Sequence, residues 1–243
     1  MKFISVTDPG VTRLKNEDVF FASKDSIGLL PNLFFVADGM GGEKAGLYAA
    51  QTAANTIVTD LMGSKEREPV KAIKAAIEDA NLKLFEEAQA DPEKESMGTT
   101  LVLACIYDDH LIIANVGDSR LYVSKNDRIT QITRDHSYVD ELVRYGKVSE
   151  LAAKHHPKRH YITRAVGAEN KISIDFFDLE LDQSDIFMLC SDGLTNMLLD
   201  EEIQAILRSG KSLEEMSKEL VDRANAMGGE DNITIVIVDP EIK

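Results

Sequence analysis

Leu33-Phe34-Phe35-Val36-Ala37-Asp38-Gly39-Met40-Gly41-Gly42 joins five apolar residues to a lone carboxylate and a glycine-rich turn. The apolar run has the length and the β-branched or aromatic bias of a buried strand, predicted to end at Asp38. The glycines after it permit positive φ and let carbonyl oxygens approach whatever the carboxylate holds. A hard cation suits that setting. Asp-Gly is also a common turn pair, so this stretch alone supports either reading.

The same design recurs. Residues 186–190 form another apolar run that ends in Ser191, Asp192 and Gly193. Near the C-terminus the order is inverted: Gly228, Gly229, Glu230, Asp231 and Asn232 precede a strand-like run at 233–238. If these strands run antiparallel, the end of one lies at the same sheet edge as the start of its neighbour, and Asp38, Asp192 and Asp231 can meet. Glu17 and Asp18 immediately precede an expected strand at 19–22. Asp118 separates the runs 111–116 and 121–123, as it would at a hairpin tip.

A chain of 243 residues without a Pro, Gly or Ser-rich linker is expected to form one domain, residues 1–243. Lys and Arg number 27 against 42 Asp and Glu, a formal net charge of −15, which disfavours nucleic acid and anionic membranes. Most of these acids are expected on solvated helix faces, with a minority at strand ends holding metal. The opening MKFISVTDPG has no apolar targeting segment and no run approaches transmembrane length, so a soluble cytoplasmic protein without membrane insertion is expected. Cys105 and Cys190 lie inside apolar runs, where a reduced thiol behaves as a small hydrophobe.

Residues 3–7 read as a short strand. An alanine-rich stretch at 43–62 predicts a closely packed helix, and within 68–89 Val70, Ile73, Ile77, Ala80 and Leu84 make one apolar stripe. The runs 101–107, 111–116 and 121–123 imply an antiparallel meander, and 172–181 with 185–190 another strand pair. Asp200 is expected to cap a helix carrying Ile203, Ile206 and Leu207 inward. Ser212 and Glu215 predict a capping box for the next, with Leu213, Met216 and Leu220 inward. Between Asp135 and His160 the periodicity breaks, marking a candidate flap at about 137–160. His155, His156 and His160 there lack partner acids at ligand spacing and read as a solvated loop. The expected class is α+β: a four-layer α/β/β/α sandwich of two antiparallel sheets flanked by helix pairs.

Carboxylates with few histidines select Mg²⁺ or Mn²⁺ over Zn²⁺. Two such ions about 3.5–4 Å apart can lower the pKa of a shared water for in-line attack at phosphorus. Arg13 could then clamp two phosphoryl oxygens, or instead pair on the surface with Glu17 or Asp18. A calcium-binding module is a competing class, but the residues after Asp38 lack oxygen donors at alternate positions. A metal-dependent nuclease would use similar acids, yet no basic track accompanies them.

Asp38-Gly39-Met40-Gly41-Gly42, Met97-Gly98-Thr99-Thr100, Val116-Gly117-Asp118-Ser119-Arg120, Thr163-Arg164-Ala165-Val166-Gly167, Ser191-Asp192-Gly193-Leu194 and Gly228-Gly229-Glu230-Asp231-Asn232-Ile233-Thr234 resemble, in order and spacing, the protein phosphatase 2C family of metal-dependent serine/threonine phosphatases. The resemblance spans nearly the whole chain. It implies a binuclear Mn²⁺ or Mg²⁺ centre at one end of the sandwich, and hydrolysis of phosphoserine and phosphothreonine through a metal-bridging water. By matched position Asp38 would bridge the ions, Gly39 would offer its carbonyl, Asp192 and Asp231 would complete one ion, and Glu17 would serve the other. Asp18 would orient metal waters and Arg13 would bind phosphate. Asp118 with Asp192 matches a third, weaker metal site of bacterial-type members. Met40 stands where animal members carry a histidine proposed as general acid, which also marks the bacterial type. That type implies phosphoproteins as partners, among them a cognate serine/threonine kinase, and a monomeric enzyme. A catalytically weak relative that only binds phosphoproteins is the alternative.

Overall fold

The computed structural model describes residues 1–41, 45–126, 128–153, 156–182 and 185–241. Gly42 of the glycine turn, Glu43 at the expected start of the first helix, and His155 of the flap lie outside the described residues. In chain order the elements are β1 (Lys2–Asp8), β2 (Asp18–Ser23), β3 (Leu33–Met40), α1 (Ala45–Gly63), α2 (Pro69–Ala90), β4 (Gly98–Thr99), β5 (Leu101–Tyr107) and β6 (His110–Val116). Then come β7 (Arg120–Lys125), β8 (Arg128–Gln131), α3 (Tyr138–Arg144), α4 (Glu150–Ala153), β9 (Asp175–Glu180) and β10 (Ile186–Cys190). The last are α5 (Asp192–Thr195), α6 (Asp200–Leu207), α7 (Leu213–Ala226) and β11 (Ile233–Asp239).

Successive side chains of a strand point to opposite faces, so a strand buried on both faces must be apolar throughout. This is why residues 33–37 form an unbroken apolar run. Leu33, Phe35 and Ala37 pack toward α1 and α2, while Phe34 and Val36 face the opposite sheet. β11 mirrors it, with Ile233, Ile235 and Ile237 under α6 and α7 and Val236 and Val238 between the sheets. Edge-to-face contact of Phe34 with Phe187, ring centroids 6.0 Å apart, locks the inner layer.

One sheet runs β1-β11-β10-β7-β8 and the other β2-β3-β5-β6-β9, with β4 beside β3 and every pairing antiparallel. The expected α/β/β/α sandwich is therefore the observed fold. Several local expectations are corrected. The strand at 33–37 continues through Asp38 to Met40, because Gly39 and Met40 pair with Thr99 and Gly98 of β4. Asp118 is not at a hairpin tip: β6 and β7 belong to different sheets, and residues 117–119 cross between them. β9 and β10 are likewise no pair but lie in opposite sheets. Asp200 is the first residue of α6 and Leu199 its cap, with the Leu199 N–H satisfied by Glu202 Oε2 at 2.9 Å.

Ser212 and Glu215 do form the expected reciprocal capping box of α7. Ile73, Ile77, Ala80 and Leu84 are buried along α2, and Ala49, Ala50 and Ala53 let α1 lie close on its sheet. The flap carries α3 and α4, and is pinned at its root by the Ser137–Ile162 bridge and by Tyr138 N–H donating to Tyr161 O at 2.7 Å. Among the described residues no helix is long and apolar enough to cross a membrane.

Candidate active site

The acids come from both sheets. Asp18 and Asp38 are register partners on β2 and β3, whereas Asp192 follows β10 and Asp231 precedes β11 in the facing sheet. The meeting expected at one sheet edge takes place across the end of the sandwich instead. Asp118 arrives on the crossover between sheets. Arg13, Glu17, Asp38, Gly39, Asp118, Asp192 and Asp231 line one cleft of about 480 Å³, and Asp18 lies buried beside it.

Local sequence explains how each is held. Asn232 accepts the Glu17 N–H at Oδ1 (2.8 Å) and donates from Nδ2 to Pro9 O (3.0 Å) and Lys15 O (2.9 Å), tying the loop that carries Arg13 to the start of β11. Asp38 is fixed by its backbone: its N–H donates to Thr100 Oγ1 at 3.0 Å and its carbonyl accepts Thr99 Oγ1 at 2.9 Å. Gly39 must be glycine, since a Cβ there would stand 2.1 Å from the Gly46 carbonyl oxygen of α1. Helix and strand touch backbone to backbone at that point.

The electrostatics are those of like charges short of water. Burial is the main cause raising Asp38 well above the ordinary carboxylate range, followed by repulsion from Asp18, Asp192, Asp118 and Asp231. Burial also raises Asp118, with Asp192 next, and raises Asp192, with Asp231 next. Asp18 is pushed up to about 7 by burial, against the opposing hydrogen bonds of Thr234 and Ser191. Asp38 and Asp192 keep part of their surface open to the cleft. Protein crowds their remaining sides, so the upward direction holds.

These residues suit a hard divalent cation. Asp18 Oδ1 and Asp192 Oδ1 are buried without a hydrogen-bond partner among the described residues, and a cation would turn the mutual repulsion of the group into attraction. The acids offer oxygen donors, and neither cysteine lines the cleft. Among the described residues no three such side chains close into a finished ligand shell. What they share is the cleft and its unbalanced charge.

Arg13 pairs with neither Glu17 nor Asp18: its Nη2 donates to Asp231 Oδ2 at 2.8 Å, and the side chain is about half exposed. Met40 lines the cleft with a thioether that has no proton to give. His160, expected in a solvated loop, is exposed yet also lines the cleft. Sequence reasoning gave no role to Asn232, Thr100 or Ser191. Ser191 Oγ donates to Asp18 Oδ2 at 2.7 Å and accepts the Thr234 N–H at 3.0 Å. For Ser191 and Asn232 the available signal was a polar residue beside an acid at one end of an apolar run; Thr100 adjoins no acid and carried none.

Comparison with known proteins agrees with this geometry. The model of the family described as protein phosphatase 2C matches residues 11–144. The serine/threonine phosphatase stp of Listeria innocua is 39% identical over 241 residues, covering 96% of this chain and 93% of that one. The crystal structure of serine/threonine phosphatase Stp1 from Staphylococcus aureus superposes with a TM-score of 0.90 at 34% identity, covering 97% of this chain and 93% of that chain. The catalytic domain of serine/threonine protein phosphatase PstP, solved in complex with 2 manganese ions, gives a TM-score of 0.85 at 29% identity over 97% of this chain and 96% of that chain. With the motif order, the sandwich and the acid-lined cleft all in agreement, the chain belongs to the protein phosphatase 2C family.

Proposed function

We propose that this 2C-family protein-serine/threonine phosphatase hydrolyses phosphoserine and phosphothreonine on proteins at the cleft between its two sheets, with Mn²⁺ or Mg²⁺ as cofactor. Asp38 and the Gly39 carbonyl would hold two ions together, Asp192 and Asp231 would complete one, and Glu17 the other. Asp118 with Asp192 would take a third, weaker ion. The chemistry such ions supply is Lewis-acid charge neutralisation and a water with its pKa lowered toward neutrality.

The chain's own groups do the rest. Arg13 exchanges Asp231 for the phosphoryl oxygens of the substrate, since its fork is exposed and its present partner is a carboxylate at the same cleft. Asp18, held by Ser191, orients water beside Asp38. Met40 leaves the leaving-group proton to another donor. The observation that carries the reading is the convergence of acids from both sheets with buried oxygens at Asp18 and Asp192 that have no partner among the described residues.

We extend the proposal to residues 1–243 as one catalytic domain, monomeric and cytoplasmic, with the flap at 137–160 bearing on substrate choice. Its partners would include a cognate serine/threonine kinase whose action it reverses. Phosphate release from a phosphothreonine peptide tests the core reading. Activity with Mn²⁺ that chelator abolishes is expected; full activity after exhaustive chelation overturns it.

A further inference from the structure

His136 is buried in the floor behind Asp118, outside the cleft itself. Its backbone N–H donates to Gly117 O at 2.9 Å, and its ring Nδ1 accepts the Gly117 N–H at 3.1 Å. One side chain and one peptide group thus hold both polar atoms of Gly117. That residue has φ +107°, and a Cβ on it would stand 2.6 Å from Thr100 Cβ. The chain turns there from one sheet to the other and delivers Asp118 to the cleft.

The opposite edge of the ring faces the flap root and β9. With Nδ1 occupied by an incoming N–H, the ring proton sits on Nε2, which lies 3.2 Å from Asp175 Oδ2. Arg164 Nη1 lies 3.3 Å from Nε2 and gives its hydrogen bond to Asp175 Oδ1 at 2.9 Å. The His136 carbonyl accepts the Thr163 N–H at 2.7 Å, next to the Ser137–Ile162 bridge that closes the flap. Burial, with Arg164 adding to it, lowers the imidazole pKa against the pull of Asp175.

We propose that His136 is a positioning residue: it clamps the Gly117 turn so that Asp118 is presented to the cleft, and it ties that turn to the root of the flap. The proposal rests on the reading of Asp118 as part of the reacting centre. It uses no proton transfer by His136, only the acceptor at Nδ1 and the donor at Nε2. Residues that orient a ligand through one intervening group commonly change affinity or activity by about 10- to 100-fold when removed.

The test uses the full chain with Mn²⁺ and measures kcat and KM on a phosphothreonine peptide, together with amide hydrogen exchange of residues 116–120. His136→Ala is expected to lower kcat by about 10- to 100-fold with KM changed less than about threefold, and to speed exchange at 116–120. Adding Asp118→Ala to it should cost less than about twofold more, since one device is then removed twice. His136→Asn, whose Oδ1 can occupy the Nδ1 position, should restore most of the rate and the slow exchange. His136→Gln, which reaches the Nε2 position instead, should not. Losses that multiply, or equal behaviour of the Asn and Gln variants, overturn the proposal. If Asp118→Ala alone leaves turnover intact, the reading of Asp118 fails, while exchange at 116–120 still decides whether His136 holds the turn. If His136→Ala does not fold, the Asn and Gln pair carries the same contrast.

Discussion

Asp18 and Asp38 stand directly opposite each other on neighbouring antiparallel strands, two carboxylates at the end of a sheet where one Asp18 oxygen has no partner among the described residues. Like charges in register destabilise a sheet. The fold therefore keeps at its cleft an arrangement that a bound cation relieves.

Neutralising Asp38 should separate stability from activity. Asp38→Asn removes a ligand and one like charge together, so turnover should nearly vanish while the metal-free protein melts higher. Each ~1 kcal/mol moves the melting temperature of a chain this size by about 2–4 °C. Asp231→Asn should also abolish turnover. It gains less stability, because it breaks the pair with Arg13. Calorimetry of the metal-free variants and phosphate release check both; a metal-free Asp38→Asn that melts lower than wild type contradicts the electrostatic account.

The pH dependence has a definite sign. Burial raises Asp18 to about 7 and Asp38 well above its ordinary value. Below the unfolded carboxylate value of about 4 both states are protonated and the repulsion is absent. As pH rises from there through 7 Asp18 ionises in the folded protein beside its acidic neighbours, and metal-free stability is lost. Melting of the metal-free protein should fall between about pH 5 and pH 8, less so in Asp18→Asn, and the gain on adding Mn²⁺ should be larger at pH 8. A profile identical in wild type and Asp18→Asn removes Asp18 from the explanation.

Arg13→Ala should chiefly weaken substrate engagement. A charge-assisted bond is worth about 1.5–3 kcal/mol, so KM for a phosphothreonine peptide should rise by roughly 10- to 100-fold with two metals still bound. Damage to kcat equal to that of Asp231→Asn would show that the roles are wrongly divided.

Ser191→Ala removes the hydroxyl that donates to Asp18 and receives the Thr234 N–H. The buried Thr234 N–H then lacks a partner, which costs about 1–3 kcal/mol, and Asp18 loses one of the hydrogen bonds that hold it down, which raises it further. Chemical denaturation should show the loss, and a variant as stable as wild type would mean that water fills the gap.

Asp118→Ala should slow a phosphothreonine peptide more than p-nitrophenyl phosphate. An alkoxide leaving group needs a proton that nitrophenolate does not, and Met40 has none to give. Removing a buried, repelled carboxylate should leave the fold intact. Equal losses on both substrates, with two metals retained, would show that Asp118 does not assist the leaving group.

The amino-acid order alone determined the elements whose burial is uniform or whose ends are locally satisfied. Residues 33–37 had to be a strand buried on both faces, the alanines of α1 had to lie close on a sheet, and Ser212 with Glu215 had to start α7. The recurrent pairing of an acid with an apolar run marked Asp38, Asp192 and Asp231. Tertiary structure alone decided which sheet each strand joins. The link 117–119 is as short as a hairpin turn, and β6 and β7, buried on both faces, carry no alternation to name their neighbour. Only packing of the two sheets made it a crossover. For the same reason the partner of Arg13 was not legible: Asp231 is 218 residues away, and it approaches because Asn232 and the Gly229 carbonyl tie the two loops together.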